Sequence, residues 1–222
     1  MDIDQDEIIN SAQTKGWLSD GITLARALLT PVIMFVIIVG WPKNDMAVLA
    51  SVLFTIAALS DIADDLIGGP ETAIHRQFGW FDDIADTILV LGSLLALSWV
   101  IYKAGIMSLW FLIPTAVIVL REVIVGLTRG FELQKNGWPE TKLGNIKTGL
   151  LMFSICLLIA TPWLTTWTDN LIQSDSNIVD RYVSASPHIW IAGQVLLWLA
   201  ALLSLITGIR LIANPSGAAN DS

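Results

Sequence analysis

Asp61, Asp64, Asp65, Asp82, Asp83 and Asp86 crowd the facing ends of two long apolar segments. Carboxylates are hard oxygen donors that suit magnesium or manganese, and a carboxylate can also take a proton as a general base. On a helix Asp61 and Asp64 stand at i, i+3 and Asp82 and Asp86 at i, i+4, so each pair shares a face. Two antiparallel helices would aim these four into one gap. Their charge balances two divalent cations, and paired metals about 3.5 to 4 Å apart are a recurring device for phosphoryl chemistry. Asp61 with Asp65, or Asp83 with Asp86, meets the same helical spacing, so register alone does not choose among the six. A purely structural account, in which they are ordinary helix-end residues, suits Asp82 and Asp83 at a helix N-terminus. It suits Asp61, Asp64 and Asp65 badly, because they close a helix where the macrodipole is already negative.

The elements that carry these acids read as membrane helices. Of 222 residues 54% are hydrophobic and 14% charged, a polytopic profile. Stretches long enough to cross a hydrocarbon core of about 30 Å run over residues 22–41, 47–66, 84–102, 106–127, 146–167 and 189–213. The expected fold is therefore an all-α integral membrane protein of six transmembrane helices with a cytoplasm-facing polar pocket. It divides into a polar cytoplasmic segment at 1–16, a membrane catalytic domain at 17–213 and a polar tail at 214–222. The stretch before the first span lacks the basic region and short apolar core of a cleavable signal, so that span is expected to remain in the protein. With the N-terminus inside, Lys15, Arg76, Arg129, Lys135 and Lys142 fall on the cytoplasmic side and Lys43, Lys103 and Arg181 opposite, a bias that puts the acids at the inner face. An aspartate at bilayer depth costs about 2.5 to 3.5 kcal/mol, so a cluster needs cations, water or partners to offset it. Trp41, Trp99, Trp110, Trp163, Trp167 and Trp190 are expected in an outer interfacial belt and Trp17 in an inner one. Gly126, Gly144 and Gly149 mark places for close helix packing. Cys156, alone in the fifth span, excludes a disulfide framework. A net charge of −8 argues against a nucleic-acid partner.

The acidic register resembles the CDP-alcohol phosphatidyltransferases, six-helix membrane enzymes with the pattern Asp-x2-Asp-Gly-x2-Ala-Arg-x8-Gly-x3-Asp-x3-Asp. Asp61, Asp64, Asp82 and Asp86 fall on its four acidic positions. Asp65 stands where the family has glycine, Gly68 where it has alanine, Gly69 where it has arginine, and Phe78 at the second glycine with Gly79 beside it. The resemblance implies that Asp65, Gly68 and Gly69 face the nucleotide, with Arg76 the nearest cation to replace the arginine. Thr23-Leu-Ala-Arg26-Ala-Leu-Leu-Thr-Pro31, Arg121-Glu122 through Arg129 and Gly144-Asn-Ile-Lys147-Thr148 are similar to stretches of the bacterial phosphatidylglycerophosphate synthase branch. It further implies CDP-diacylglycerol as donor, Mg2+ or Mn2+ as cofactor with two ions bound by Asp61, Asp64, Asp82 and Asp86, Asp86 as the base, a homodimer, and a bacterial inner membrane.

Arg121, Arg129, Lys142 and Lys147 put cations at the inner ends of helices four and five, where they suit the phosphate of a small phosphorylated alcohol. Cytoplasmic cations also serve orientation and lipid headgroups, which is the simpler reading for Lys142. Arg121 differs because it lies inside a span, where a charge needs a partner, and Glu122 is the nearest. The expected function is transfer of a phosphatidyl group from CDP-diacylglycerol to a small alcohol, foremost glycerol 3-phosphate, with CMP released. Two other readings stay open at this level: a family member of weakened catalysis that binds lipid or metal, and a small cation transporter. The gathering of acids at one end speaks against the transporter.

Overall fold

The protein, seen as a computed structural model, is described over residues 5–67, 79–136, 142–174 and 186–213, with side chains described over 17–18, 20–60, 84–125, 143–170 and 188–209. Six helices make up the described chain: α1 (Gln5–Gly40), α2 (Asn44–Ile67), α3 (Gly79–Lys103), α4 (Leu109–Asn136), α5 (Lys142–Ser174) and α6 (Ser186–Ala213). Each expected apolar segment corresponds to one of them, with 22–41 running one residue past α1 and 106–127 starting three residues ahead of α4. The main difference is α1, which begins well ahead of residue 22; its polar start has no proline to stop the helix.

Four of these helices carry stretches long and apolar enough to cross a membrane: Asp20–Gly40, Ile84–Lys103, Leu143–Asn170 and His188–Ile209. A shorter apolar stretch, Asn44–Ser60, belongs to α2. The chain is an all-α integral membrane protein.

Around the bundle α1 packs on α2 and α3, α2 on α5, α5 on α6, and α6 on α4, while α3 touches both α4 and α5. One face of α1 supplies the buried residues Thr23, Arg26, Thr30, Ile33 and Ile37 at helical spacing, and Leu24, Leu28, Phe35 and Val39 lie exposed on other faces. Since lipid is as apolar as leucine, close packing and interhelical hydrogen bonds must hold such helices together. Gly149, expected at a close contact, has nothing within 4 Å of where a Cβ would stand. Close approach falls instead at Gly193, where a Cβ would meet Leu158 Cδ2 at 2.7 Å and where Ser154 Oγ donates to the Gly193 carbonyl at 2.9 Å.

The α3–α4 connection is set by Gly105, whose φ of 71° is left-handed. Its N–H reaches the Tyr102 carbonyl at 3.0 Å and the Ile106 N–H reaches that of Ile101 at 3.2 Å, which ends α3 in a Schellman motif. Within α4, Pro114 has no N–H for the Trp110 carbonyl; the Trp198 indole of α6 donates to that oxygen at 2.9 Å.

Of the tryptophans expected in an outer belt, Trp99, Trp110 and Trp167 are exposed. Trp41 is buried with Nε1 donating to the Ile159 carbonyl at 3.2 Å, and Trp163 donates to Ser51 Oγ at 3.1 Å. Those two rings bridge helices, because a buried indole N–H must find an acceptor and neighbouring helices supply one.

Candidate active site

Arg26 sits on the inward face of α1 with its side chain fully buried. A guanidinium at that depth needs an anion, and its Nη1 is paired with Asp86 Oδ1 on the second turn of α3. Its Nε donates to Ser60 Oγ on α2 at 3.3 Å, and Ser60 Oγ in turn donates to the Ala57 carbonyl at 2.7 Å. One side chain of α1 thus ties together the two helices that carry the acids, holding α2 at the residue before Asp61. Asp86 is 19% exposed, so it combines a buried anchor with an open side.

Asp61 and Asp64 lie on the closing turns of α2, three apart, and Asp82 and Asp86 on the opening turns of α3, four apart. Helical backbone therefore carries both pairs in the expected register. The side chains of Asp61, Asp64, Asp65, Asp82 and Asp83 lie outside the described residues, as do Gly68, Gly69 and Arg76 of the expected nucleotide subsite.

A second buried charge cluster joins α4, α5 and α6. Glu122 Oε2 accepts from Arg121 Nη1 at 2.8 Å and its Oε1 accepts from Lys147 Nζ at 3.0 Å, with the three side chains between 7% and 12% exposed. Arg121 Nη2 donates to Thr207 Oγ1 of α6 at 3.4 Å, while its Nε is buried without a partner among the described residues. Among the described residues of this cluster one carboxylate stands between two cations. Arg121 and Lys147 are brought together as expected, and the partner expected for Arg121 is the one observed. Arg129 and Lys142 lie outside the described side chains.

The two clusters occupy one end of the bundle. Asp86 and Lys147 sit in the second turns of α3 and α5, Ser60 and Thr207 in the later parts of α2 and α6, and Arg121 near the middle of α4. Alternating chain direction brings these positions to the same side.

Arg26 is the site residue missed from sequence, although the signal was present: a cation inside the first expected span carries the same need for a partner as Arg121. The identity of that partner, 60 residues away, was not legible.

Comparison with known proteins bears on the whole assembly. The profile of the CDP-alcohol phosphatidyltransferase family matches residues 17–206. A CDP-diacylglycerol--glycerol-3-phosphate 3-phosphatidyltransferase of Rickettsia felis is 30% identical over 193 residues, covering 86% of this chain and 91% of the relative. The protein of that name from Rickettsia prowazekii is 30% identical over 200 residues, covering 86% and 91%. Its counterpart in Salmonella typhimurium is 27% identical over 172 residues, covering 76% and 87%. A match over nearly the full set of helices, with acids in helical register on α2 and α3 beside buried cations, establishes that the chain belongs to the CDP-alcohol phosphatidyltransferase family and is an enzyme of that type.

Proposed function

We propose that this protein transfers the phosphatidyl group of CDP-diacylglycerol to the hydroxyl of glycerol 3-phosphate and releases CMP, at the cytoplasmic face of a bacterial inner membrane that it crosses six times. The observation that carries this reading is the Arg121, Glu122 and Lys147 cluster, two cations on one carboxylate among the described residues at the acid-bearing end of the bundle. An acceptor that brings its own phosphate suits fixed Arg and Lys donors through charge-assisted hydrogen bonds. The names of the bacterial relatives favour the same acceptor.

Asp61, Asp64, Asp82 and Asp86 would hold two Mg2+ or Mn2+ ions. The fit rests on four hard oxygen donors in helical register on α2 and α3, and on Arg26, which links the residue before Asp61 to Asp86. When bound, the ions neutralise the pyrophosphate and the charge that develops on departing CMP.

The remaining work belongs to side chains. Asp86 takes the proton of the attacking hydroxyl as that oxygen bonds to the phosphatidyl phosphorus and the bond from the same phosphorus to CMP breaks. Arg26 keeps the Asp86 carboxylate on aim by holding Oδ1. Arg121 and Lys147, with Arg129 and Lys142, bind the acceptor's phosphate. The residues beside the nucleotide are Asp65, Gly68, Gly69 and Arg76. A groove of about 330 Å³ between α2 and α5, lined by Val52, Ile56, Phe153, Leu157, Ala160 and Leu164 among others, offers apolar surface on the helix that ends in the acids, in keeping with a lipid donor.

Purified protein in detergent with magnesium and CDP-diacylglycerol, supplied with candidate alcohols one at a time, tests the reading. Glycerol 3-phosphate should give CMP and a lipid of the mass of phosphatidylglycerophosphate. Turnover with another alcohol alone would remove the acceptor assignment, and no CMP with any alcohol or metal would sink the reading.

A further inference from the structure

Arg121 is held by α6 as well as by Glu122, and the hold has two parts. Thr207 Oγ1 accepts from Nη2 at 3.4 Å, which fixes the tip of the side chain. Gly208, the next residue, presents no side chain to the stem: a Cβ there would stand 3.1 Å from both Cγ and Nε of Arg121 and 3.7 Å from Cδ. Contacts that short force the neighbour to shift, and the neighbour here is the arginine itself.

The consequence concerns how the guanidinium is presented. Nη1 is committed to Glu122 and Nη2 to Thr207, while Nε lies buried with no partner among the described residues. Guanidinium hydrogen bonds are directional because the group is planar, so a small rotation of the stem moves every donor at once. Thr207 is itself anchored, donating to the Leu203 carbonyl at 2.9 Å, which makes its oxygen a fixed reference on α6 rather than a free rotor.

We propose that Thr207 and Gly208 form a positioning pair on α6 that sets the orientation of Arg121 toward an anionic acceptor, so that α6 tunes acceptor affinity without touching the donor. The proposal rests on the reading that Arg121 binds the acceptor's phosphate. A purely structural role for the pair would lower stability or turnover in general; a positioning role moves the acceptor KM selectively.

The test uses the full-length protein in detergent, with glycerol 3-phosphate as acceptor, in Thr207→Val, Thr207→Ser, Gly208→Ala and Arg121→Lys. Thr207→Val keeps the shape and loses the acceptor oxygen, and should raise the KM for glycerol 3-phosphate about fivefold, the scale expected for one long hydrogen bond to a charged group. Its kcat and its KM for CDP-diacylglycerol should stay at the parent values. Thr207→Ser, which restores the oxygen, should return to within about twofold of the parent, and Gly208→Ala should raise the acceptor KM alone. An unchanged acceptor KM in Thr207→Val and Gly208→Ala, with a raised one in Arg121→Lys, overturns the proposal and leaves the role of Arg121 standing. An unchanged acceptor KM in Arg121→Lys overturns both. Parallel loss of kcat and of affinity for both substrates, or a serine variant no better than valine, assigns the pair to packing. If the valine variant does not fold, the serine and alanine variants carry the decision.

Discussion

The two ends of the bundle satisfy their polar groups by different means. Toward the end where α3 and α5 begin, buried charges meet in Arg26 with Asp86 and in Glu122 between Arg121 and Lys147. Toward the other end the work is done by neutral aromatic residues: Trp41 and Trp190 lie 6.1 Å apart, Phe111 stacks on Trp190 at 6.0 Å, and Trp110 packs on Trp198 at 5.1 Å. The indoles of Trp41 and Trp198 donate to main-chain carbonyls, so these contacts close without any net charge.

Indole-to-carbonyl bonds join helices at little desolvation cost. Buried ion pairs are a poor way to do the same job, since their Coulomb gain barely offsets the loss of hydration. A bundle that needed only cohesion would use the aromatic solution at both ends. On the proposed function, the charged end is where stability is conceded to chemistry, and the second cation on Glu122 is what cohesion among the described residues does not require.

The largest effect that sharpens this contrast should come from Asp86→Asn, which keeps the shape and removes the base. CMP release should fall by about 100-fold or more, and because buried Arg26 loses its anion the variant should also lose about 3–5 kcal/mol in detergent unfolding. Parent-like turnover would remove Asp86 from its assigned role. Next, Arg26→Met deprives Asp86 of its buried partner and should cost about 3–5 kcal/mol in detergent unfolding; adding Asp86→Asn to that variant should recover part of the loss, because the pair is then removed together. Glu122→Gln leaves Arg121 and Lys147 without a carboxylate between them and should cost about 1–3 kcal/mol by the same measurement. The smallest effect belongs toward the aromatic end, where Trp163→Phe loses only the bond to Ser51 Oγ, about 1 kcal/mol, with kcat and the KM for glycerol 3-phosphate unchanged. A tenfold loss of turnover in that variant would break the comparison by showing the two regions to be coupled.

How much of this was legible beforehand varied with the range of the interaction. The pairing of Arg121 with Glu122 was foreseeable because the residues are adjacent and an intramembrane cation needs an anion. That Lys147 completes the cluster from α5 adds 25 residues of separation, and the pairing of Arg26 with Asp86 adds 60. The tryptophans show the same limit: hydropathy puts Trp41 and Trp163 at helix ends, but whether an indole faces lipid or a neighbouring helix depends on which helix packs there.

From the chain alone came the six apolar segments and the register of the acids, consequences of a period of 3.6 residues and of the cost of charge near lipid. Tertiary structure decided which buried charges meet. Arg26 reaching Ser60 and Asp86, and Arg121 resting against Gly208, depend on α1 packing beside α2 and α3 and α4 beside α6, and no local pattern encodes the order of helices around a bundle.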